Sequence, residues 1–488
     1  MTASITDELR RGCRGQLPLD ARLEPWQVRL ARDPDRLGAI VERWGSPVNL
    51  IAQHPVARNA AALRDAATRE GLDLEIFFAR KANKALGLVD RALELGLGVD
   101  VAGITELEQA LARGARPDRL MVTAAIKPRP LLELCARRSI TVAIDNADEL
   151  AEYESVAARA GLTDLPIAMR LAPRIASGAD TATRFGMGFA EIRRTMPVRL
   201  AITGIHFHLD GYRVQDRIDA SGEALELIAA LRDAGHAPAF LDIGGGIPMS
   251  YLESGAQWDA FWAEHRRRLL DPAATPLTYH RNGLGLIAHG GELVGTPNVY
   301  PYAQALTGGR WLTAVLKGVI EVAGTTKPLA RALVDAGVKL RCEPGRSLLD
   351  GCGMTVARVV FRKRGGDGTA LIGLEMNRTQ CRSTSDDFLV DPLLVPRAVE
   401  PTPPTASFAT DGFLVGAYCI ERELLTWRRL RFAGGVSAGD LVVFPNTAGY
   451  LMHILESTSH QMPLAHNVQI DAEDDAAEPR LDPIDRLV

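Results

Sequence analysis

The sequence predicts an α/β protein: a parallel (β/α)8 barrel of the TIM type, followed by a C-terminal antiparallel β domain. Three observations support this. The chain has 488 residues, enough for two or three domains, with 24% charged and 47% hydrophobic residues, as in ordinary soluble globular proteins. Short β-rich runs alternate with helical patterns over the first two-thirds, and after residue 343 this rhythm changes. A doubly wound open sheet would show a similar alternation, but usually with fewer strands, so the strand count favours the barrel.

The predicted barrel strands share apolar and β-branched residues bounded by turn signals. They are residues 75–81, 98–102, 119–124, 140–145, 167–172, 202–208, 239–244 and 339–343. Amphipathic segments between them predict helices over 85–95, 105–112, 147–161, 217–235 and 327–337. Residues 249–311 show no clear β/α unit and are rich in aromatic side chains, so they form a long excursion, either a lid over the site or a surface decoration.

The C-terminal part has the character of an antiparallel sheet. Residues 355–376 read as two strands joined by a Gly-Gly-Asp-Gly turn at 365–368, which predicts a hairpin. Residues 429–444 continue the β character. The acidic residues 471–488 predict a frayed tail.

Composition excludes several classes of function. A formal net charge of −4 and a pI of about 6.2 do not indicate binding to nucleic acid or to anionic membranes. The six cysteines show neither CxxC pairs nor zinc-ligand spacing, so we expect no metal site. The N-terminus lacks the apolar region of a secretory signal, and no apolar run is long enough to span a membrane. We therefore expect a cytoplasmic protein.

Residues that suit the binding of a cofactor or catalysis fall at the C-terminal ends of the predicted strands, where barrel enzymes have their active sites. These residues are Lys81, then His206 and His208, then Gly244, Gly245 and Gly246, then Glu343, Pro344, Gly345 and Arg346. A lysine can form an imine with a carbonyl group, and a glycine run lets backbone N–H groups approach phosphate oxygens. An imidazole can stack on a pyridine ring, and a carboxylate can hold the ring nitrogen protonated. Together they predict a cofactor that carries both a phosphate and a carbonyl group.

Seven motifs, in order, resemble those of one enzyme family. FARKAN (78–83) is similar to YAVKAN, GVDVAGITEL (98–107) to FDVASxxEL, GIHFHLDG (204–211) to GxHxHxGS, and LDIGGGIP (241–248) to LDxGGGFP. EPGRS (343–347) is similar to EPGR, GAYCIERE (416–423) to GPxCxSxD, and NTAGY (446–450) to DAGAY. Over residues 37–468 the chain resembles the fold-type III pyridoxal-phosphate decarboxylases, which include the diaminopimelate, ornithine and arginine decarboxylases.

The resemblance implies a pyridoxal-phosphate enzyme that decarboxylates an amino acid, with an alanine-racemase-like barrel and shared active sites in a homodimer. The implied catalytic residues are Lys81, which forms the Schiff base, His208, which stacks on the ring, and Cys419, which protonates Cα from across the dimer interface. The implied cofactor-binding residues are Lys81, His208, Gly244, Gly245, Gly246, Glu343 on the ring nitrogen, Pro344, Gly345, Arg346 and Tyr450. The implied substrate-binding residues are Arg346, Arg378, Ile420 and Tyr450.

The resemblance also predicts the domain boundaries. These are an N-terminal segment 1–36 that joins the β domain, a barrel over 37–338, a β domain over 339–470 and the tail 471–488.

Two departures from the family concern the phosphate and the substrate. Leu209, Asp210 and Gly211 stand where the family has x-Gly-Ser, so either Asp210 points away from the phosphate or that corner is rebuilt. Ile420 stands where relatives with a charged substrate tail carry an acid, although Glu421 or Glu423 could substitute.

Two alternative functions remain. An amino-acid racemase on the same fold needs a second base, usually a tyrosine, and an arginine at the ring nitrogen. A non-catalytic pyridoxal-phosphate-binding protein usually consists of the barrel alone.

Overall fold

The computed structural model of the chain describes residues 2–175, 183–322, 324–383, 388–397 and 411–486. The chain divides into two compact units, here called the barrel unit and the β unit. The barrel unit consists of Val56–Pro248 and Leu306–Leu348. The β unit consists of Met1–Pro55, Met249–Ala305 and Leu349–Val488.

The barrel unit contains a closed barrel of eight parallel strands, which confirms the predicted fold class. Its strands are Leu74–Ala79, Gly98–Val101, Leu120–Val122, Thr141–Ile144, Leu165–Arg170, Leu200–His206, Phe240–Asp242 and Lys339–Cys342. The helices are Pro55–Arg69, Leu86–Glu94, Ile104–Ala112, Arg129–Arg138, Ala147–Ala160, Phe189–Arg194, Val214–Asp233, Gly308–Lys317 and Leu329–Asp335. The described part of this unit also contains a strand pair, Val319–Val322 with Thr325–Pro328, and the 3-10 turns Arg80–Ala82 and Pro117–Arg119.

The barrel interior is filled by large side chains opposite small ones. Phe77, Met121 and Phe240 belong to one buried cluster. A Cβ atom on Gly204 would lie 2.4 Å from the Phe240 ring, and one on Gly98 would lie 2.3 Å from the Phe77 ring. The glycines therefore make room for the two phenylalanines, which gives the barrel a packed core rather than a pore.

The β unit is built on a 10-stranded mixed sheet, mostly antiparallel. Along the sheet path the strands are Arg14–Gly15, Leu430–Arg431, Asp411–Val415, Ala370–Leu374, Gly353–Arg364, Val48–Ile51, His466–Gln469 and Arg480–Leu481, with Leu441–Pro445 and Leu393–Val395 beside them. The helices of the β unit are Thr2–Gly12, Pro25–Ala31, Pro34–Trp44 and Gly255–Leu270. A separate hairpin pairs Leu286–His289 with Glu292–Gly295. The 3-10 turns are Tyr279–Arg281, Arg378–Gln380, Ser459–Gln461 and Pro483–Arg486.

Several predicted boundaries differ from those of the structure. Strand Lys339–Cys342 closes the barrel by pairing with the first and seventh barrel strands, so the β domain does not begin at residue 339. Strand Val48–Ile51 pairs within the large sheet, so residues 37–55 do not belong to the barrel. The hairpin predicted around residues 365–368 is present between Gly353–Arg364 and Ala370–Leu374.

Two segments are more regular than expected. The excursion 249–311 contains the helix Gly255–Leu270, a hairpin and the start of another helix. The tail after residue 471 was expected to be frayed, but strand Arg480–Leu481 pairs with His466–Gln469. In the described part of the chain, no helix combines the length and apolar character that crossing a membrane requires.

Candidate active site

The predicted strand-end residues of the barrel meet at one mouth. The Ala79 backbone N–H donates to the Pro344 carbonyl at 3.5 Å, which ties the end of the first strand to the turn after the eighth. The Glu343 N–H donates to the Gly244 carbonyl at 2.8 Å. These backbone contacts bring Lys81, the glycine run and Glu343 to the C-terminal end of the barrel, as strand order predicts.

Lys81 lies on a short turn fixed by its neighbour. Arg80, 1% exposed, donates through Nη1 to the Asn83 carbonyl at 2.8 Å and through Nη2 to Gln109 Oε1 at 2.7 Å. Lys81 Nζ lies 2.8 Å from Asp100 Oδ2, with the lysine side chain 31% exposed and the aspartate fully buried. Thr123 donates to the other Asp100 oxygen at 2.5 Å. The amine is thus held at a defined place, while part of the side chain stays accessible.

Burial and neighbouring charges shift the pKa of Asp100. Burial, followed by the charge of Glu343, raises the pKa of Asp100, and Lys81 opposes that rise. Asp100 is therefore a carboxylate that can exchange a proton with the lysine more readily than an exposed aspartate can.

His208 contacts the glycine loop directly. The Gly245 N–H donates to His208 Nδ1 at 3.2 Å, so the second ring nitrogen carries the proton of the neutral ring. Burial, followed by the charge of Lys81, lowers the pKa of His208 well below its ordinary value of 6.5. A neutral imidazole is suited to stacking on a flat ring.

The glycine loop cannot accept side chains. Gly244 and Gly246 have φ of 67° and 72°, in the region that favours glycine. A Cβ atom on Gly245 would lie 2.9 Å from the Glu343 carbonyl oxygen and 3.4 Å from the His208 ring. Bare backbone N–H groups in such a loop suit the binding of an anion.

Glu343 forms a deeply buried polar trio with His206 and Asp242. Glu343 Oε1 lies 3.4 Å from His206 Nε2, and both side chains are at most 1% exposed. Neither oxygen of Glu343 and neither ring nitrogen of His206 has a hydrogen-bond partner among the described residues. Asp242 accepts the Gly244 N–H at 2.8 Å through Oδ1. A ring nitrogen of the histidine and one carboxylate oxygen of each acid lie within 4.8 Å of one another. Atoms of these kinds can also act as ligands of a divalent cation.

Burial decides the charge states of this trio. Burial raises the pKa of Glu343, and the positive charges of Lys81 and Arg170 oppose that rise. Burial also raises the pKa of Asp242, and the negative charge of Glu343 raises it further. Burial lowers the pKa of His206 well below 6.5, so that ring is neutral and does not form an ion pair with Glu343. A cationic group brought to Glu343 would stabilise its ionised form.

A second polar layer supports the mouth. Buried Lys127 donates to both oxygens of Glu149 at 3.0 and 2.9 Å. Arg170 Nη1 contacts Asp145 Oδ1 at 3.1 Å and the Thr123 carbonyl at 3.2 Å. These contacts fix the ends of neighbouring strands around the reactive groups.

The remaining predicted site residues are divided between the two units. Arg346 is half-buried in the turn after the eighth strand, in the barrel unit. Tyr450, Arg378, Cys419 and Ile420 belong to the β unit. All six cysteines lie in the described part of the chain, and of these only Cys419 is exposed.

The substrate residues predicted in the β unit have partners there. The Arg378 N–H donates to Glu423 Oε1 at 2.8 Å, and Arg378 Nε lies 3.6 Å from Glu423 Oε2. Glu423 is buried, whereas Ile420 is 44% exposed. Glu423 is therefore engaged with Arg378 and is not a free acid next to Ile420.

The barrel residues fit pyridoxal phosphate. They supply an accessible lysine, a neutral imidazole, a glycine loop in which a Cβ would collide with backbone, and a buried carboxylate whose oxygens lack partners among the described residues. Each matches one part of the cofactor: aldehyde, ring face, phosphate and ring nitrogen.

Comparison with known proteins decides the family. Residues 55–292 match the pyridoxal-binding domain of the pyridoxal-dependent decarboxylases. An uncharacterized protein of Sinorhizobium fredii is 32% identical over 432 residues, which cover 86% of this chain and 87% of that protein. This chain belongs to the fold-type III pyridoxal-phosphate decarboxylases. Its cofactor is therefore pyridoxal phosphate, as the sequence predicted.

Other members of the decarboxylase family are more distant. The diaminopimelate decarboxylase of Pseudomonas fluorescens is 27% identical over 278 residues, 53% of this chain and 65% of that protein. The structure of Helicobacter pylori diaminopimelate decarboxylase, complexed with L-lysine, shares the fold with a TM-score of 0.63 at 17% identity, covering 91% of this chain and 95% of that one.

Sequence reasoning missed four buried groups of this decarboxylase: Asp100, Asp242, Arg170 and Arg217. The first three end or nearly end a barrel strand, so the rule that located Lys81 applies equally to them. Arg217 lies in the first turns of the helix Val214–Asp233, where an arginine usually indicates a solvated surface.

Proposed function

We propose that the protein removes the α-carboxylate of an amino acid as carbon dioxide, with Lys81 holding the cofactor and Cys419 returning a proton to Cα. The observation that carries this proposal is the buried carboxylate of Glu343 at the barrel mouth, with Lys81 and Arg170 as the cations that act on it. Family membership supports the cofactor and the reaction class.

When bound, pyridoxal phosphate withdraws the electron pair left at Cα after the carboxylate leaves. Glu343 would supply the negative charge that holds the ring nitrogen protonated. His208 would contact the ring and orient it, and the backbone N–H groups of Gly244, Gly245 and Gly246 would hold the phosphate. The contribution of these residues is to preorganise charge and position before the bond breaks.

Lys81 must lose a proton before its amine can attack an aldehyde. Asp100 Oδ2, 2.8 Å from Lys81 Nζ, is placed to accept that proton. Because burial raises the pKa of Asp100, its protonated form is easier to reach than that of an exposed aspartate.

Cys419 is assigned as the proton donor from its exposed thiol in the GAYC motif. The family arrangement implies that the partner chain of a homodimer supplies this cysteine. We therefore propose an obligate dimer in which each site uses Lys81 of one chain and Cys419 of the other.

The main competing function is racemisation. A racemase of this fold needs an arginine rather than a carboxylate at the ring nitrogen, so Glu343 favours decarboxylation. The test is product analysis with a panel of L- and D-amino acids. We expect carbon dioxide and an amine in equal amounts, whereas the opposite enantiomer without carbon dioxide would indicate a racemase.

A further inference from the structure

Arg217 is a buried cation behind the loop that departs from the family motif. It lies in the first turns of the helix Val214–Asp233 and is 0% exposed. Its Nη2 donates to the carbonyl oxygens of Leu209 at 2.8 Å and Gly211 at 3.0 Å. The guanidinium therefore sets the path of the backbone immediately after His208.

The same guanidinium lies against the glycine loop. A Cβ atom on Gly246 would lie 2.2 Å from Arg217 Nη2. Trp311 is on another side, with its ring centre 5.9 Å from the Arg217 guanidinium carbon and its Nε1 donating to the Tyr212 carbonyl at 2.8 Å. Arg217 thus occupies the corner formed by the glycine loop and residues 209–211, the two segments that surround the phosphate in the family resemblance.

Two of the three nitrogen atoms of the Arg217 guanidinium, Nε and Nη1, have no hydrogen-bond acceptor among the described residues. Burial lowers its pKa to about 10, with Asp216 and Asp210 opposing. A desolvated cation with unmet donors is costly unless an anion joins it.

Solvent screens the charge of Asp210, so this acid repels an anion in the corner only weakly. It is exposed, and its carboxylate accepts the N–H of Gly211 at 2.8 Å. The corner next to Asp210 is built around a buried arginine, which corresponds to the second of the two possibilities raised by the sequence.

We propose that Arg217 binds the cofactor phosphate, in place of the serine that the family carries where Gly211 stands here. This inference rests on the proposed function. Arginine suits the role because its planar guanidinium can donate to a backbone carbonyl and to a phosphate oxygen at the same time. A serine hydroxyl has a single donor and cannot make both contacts.

The test compares two ligands that differ only in the phosphate. Apoprotein is titrated with pyridoxal 5'-phosphate and with pyridoxal, and dissociation constants are read from the quenching of intrinsic fluorescence. For Arg217→Met we expect pyridoxal phosphate to bind about tenfold to a hundredfold more weakly, with pyridoxal changed by less than about twofold. The control is Arg213→Met, an exposed arginine at the start of the same helix, which should change neither constant.

The ratio of the two constants separates binding from folding. Equal weakening of both ligands would show that Arg217 only maintains the loop, and unchanged binding of pyridoxal phosphate would also overturn the inference. If Arg217→Met does not fold, Arg217→Lys gives the same ratio test, since lysine keeps the charge but loses the planar guanidinium; we expect a smaller, still phosphate-specific loss. Wild-type protein that fails to bind pyridoxal phosphate would instead overturn the proposed function, and the inference with it.

Discussion

Replacing Glu343 with glutamine should separate catalysis from stability. Both carboxylate oxygens of Glu343 are buried and lack hydrogen-bond partners among the described residues, and His206 Nε2 is 3.4 Å away. The amide keeps the shape of the side chain but cannot hold the ring nitrogen protonated. We expect pyridoxal phosphate to remain bound and kcat to fall about a hundredfold or more, the usual cost of removing an electrostatic partner of the reacting centre.

The same substitution should not destabilise the apoprotein. Burial raises the pKa of Glu343 above its ordinary value of 4.5, so its ionised form disfavours the fold. A carboxyl group with a raised folded pKa contributes stability that is present at low pH and lost as the pH rises through that folded value. Relative to Glu343→Gln, the wild-type apoprotein should therefore lose stability as the pH rises from acid toward neutral, which thermal unfolding over a pH series measures.

Glu149 provides a matched control because it is a buried acid with a partner. Its oxygens accept two hydrogen bonds from buried Lys127. Glu149→Gln leaves that lysine without its charge partner, and breaking such a buried pair costs about 3–5 kcal/mol. Near-normal kcat in Glu343→Gln, or a loss of stability as large as that of Glu149→Gln, would show that Glu343 has a structural role and would refute the reasoning.

Three further outcomes follow from the proposed site. Mixing inactive Lys81→Ala and Cys419→Ala protomers under conditions of subunit exchange should restore up to about a quarter of wild-type activity, because each mixed dimer has one intact site; no recovery would place both residues in one chain's site. Ornithine and lysine should be poor substrates, because Ile420 cannot pair with a distal ammonium, and Ile420→Glu should raise kcat/KM for them by orders of magnitude; efficient turnover of either by the wild type would contradict this. Asp100→Asn should slow reconstitution of the apoprotein with pyridoxal phosphate more than it weakens the final binding, as followed by absorbance, because the amide cannot take the proton from Lys81.

The barrel was predictable because its strands are short apolar runs that alternate regularly with amphipathic helical segments. All eight predicted runs overlap barrel strands, and the site residues at their ends follow from the rule that parallel strands end at one mouth. The unit boundaries were not predictable in the same way. Strand Val48–Ile51 pairs with a segment some 300 residues later, and nothing in a four-residue apolar run indicates which sheet it joins.

The buried polar groups show a second limit of sequence reasoning. The role of Glu343 could be proposed from its motif, but its proximity to His206 and Asp242 is set by three separate strands. Arg217 resembles a surface residue in its helix, but it is buried in the fold, where Trp311 from a distant segment lies beside it. Long-range packing of this kind is not encoded in local periodicity.

The central claim is that Lys81 at the barrel mouth carries the cofactor, and borohydride reduction tests it most directly. Reducing the pyridoxal-phosphate-loaded protein, digesting it and mapping the modified peptide should place the cofactor on Lys81. Lys84→Ala, three positions along the chain, should label like the wild type, and Lys81→Ala should not label. Modification at Lys84 or at the buried Lys127, or undiminished labelling of Lys81→Ala, would contradict the account.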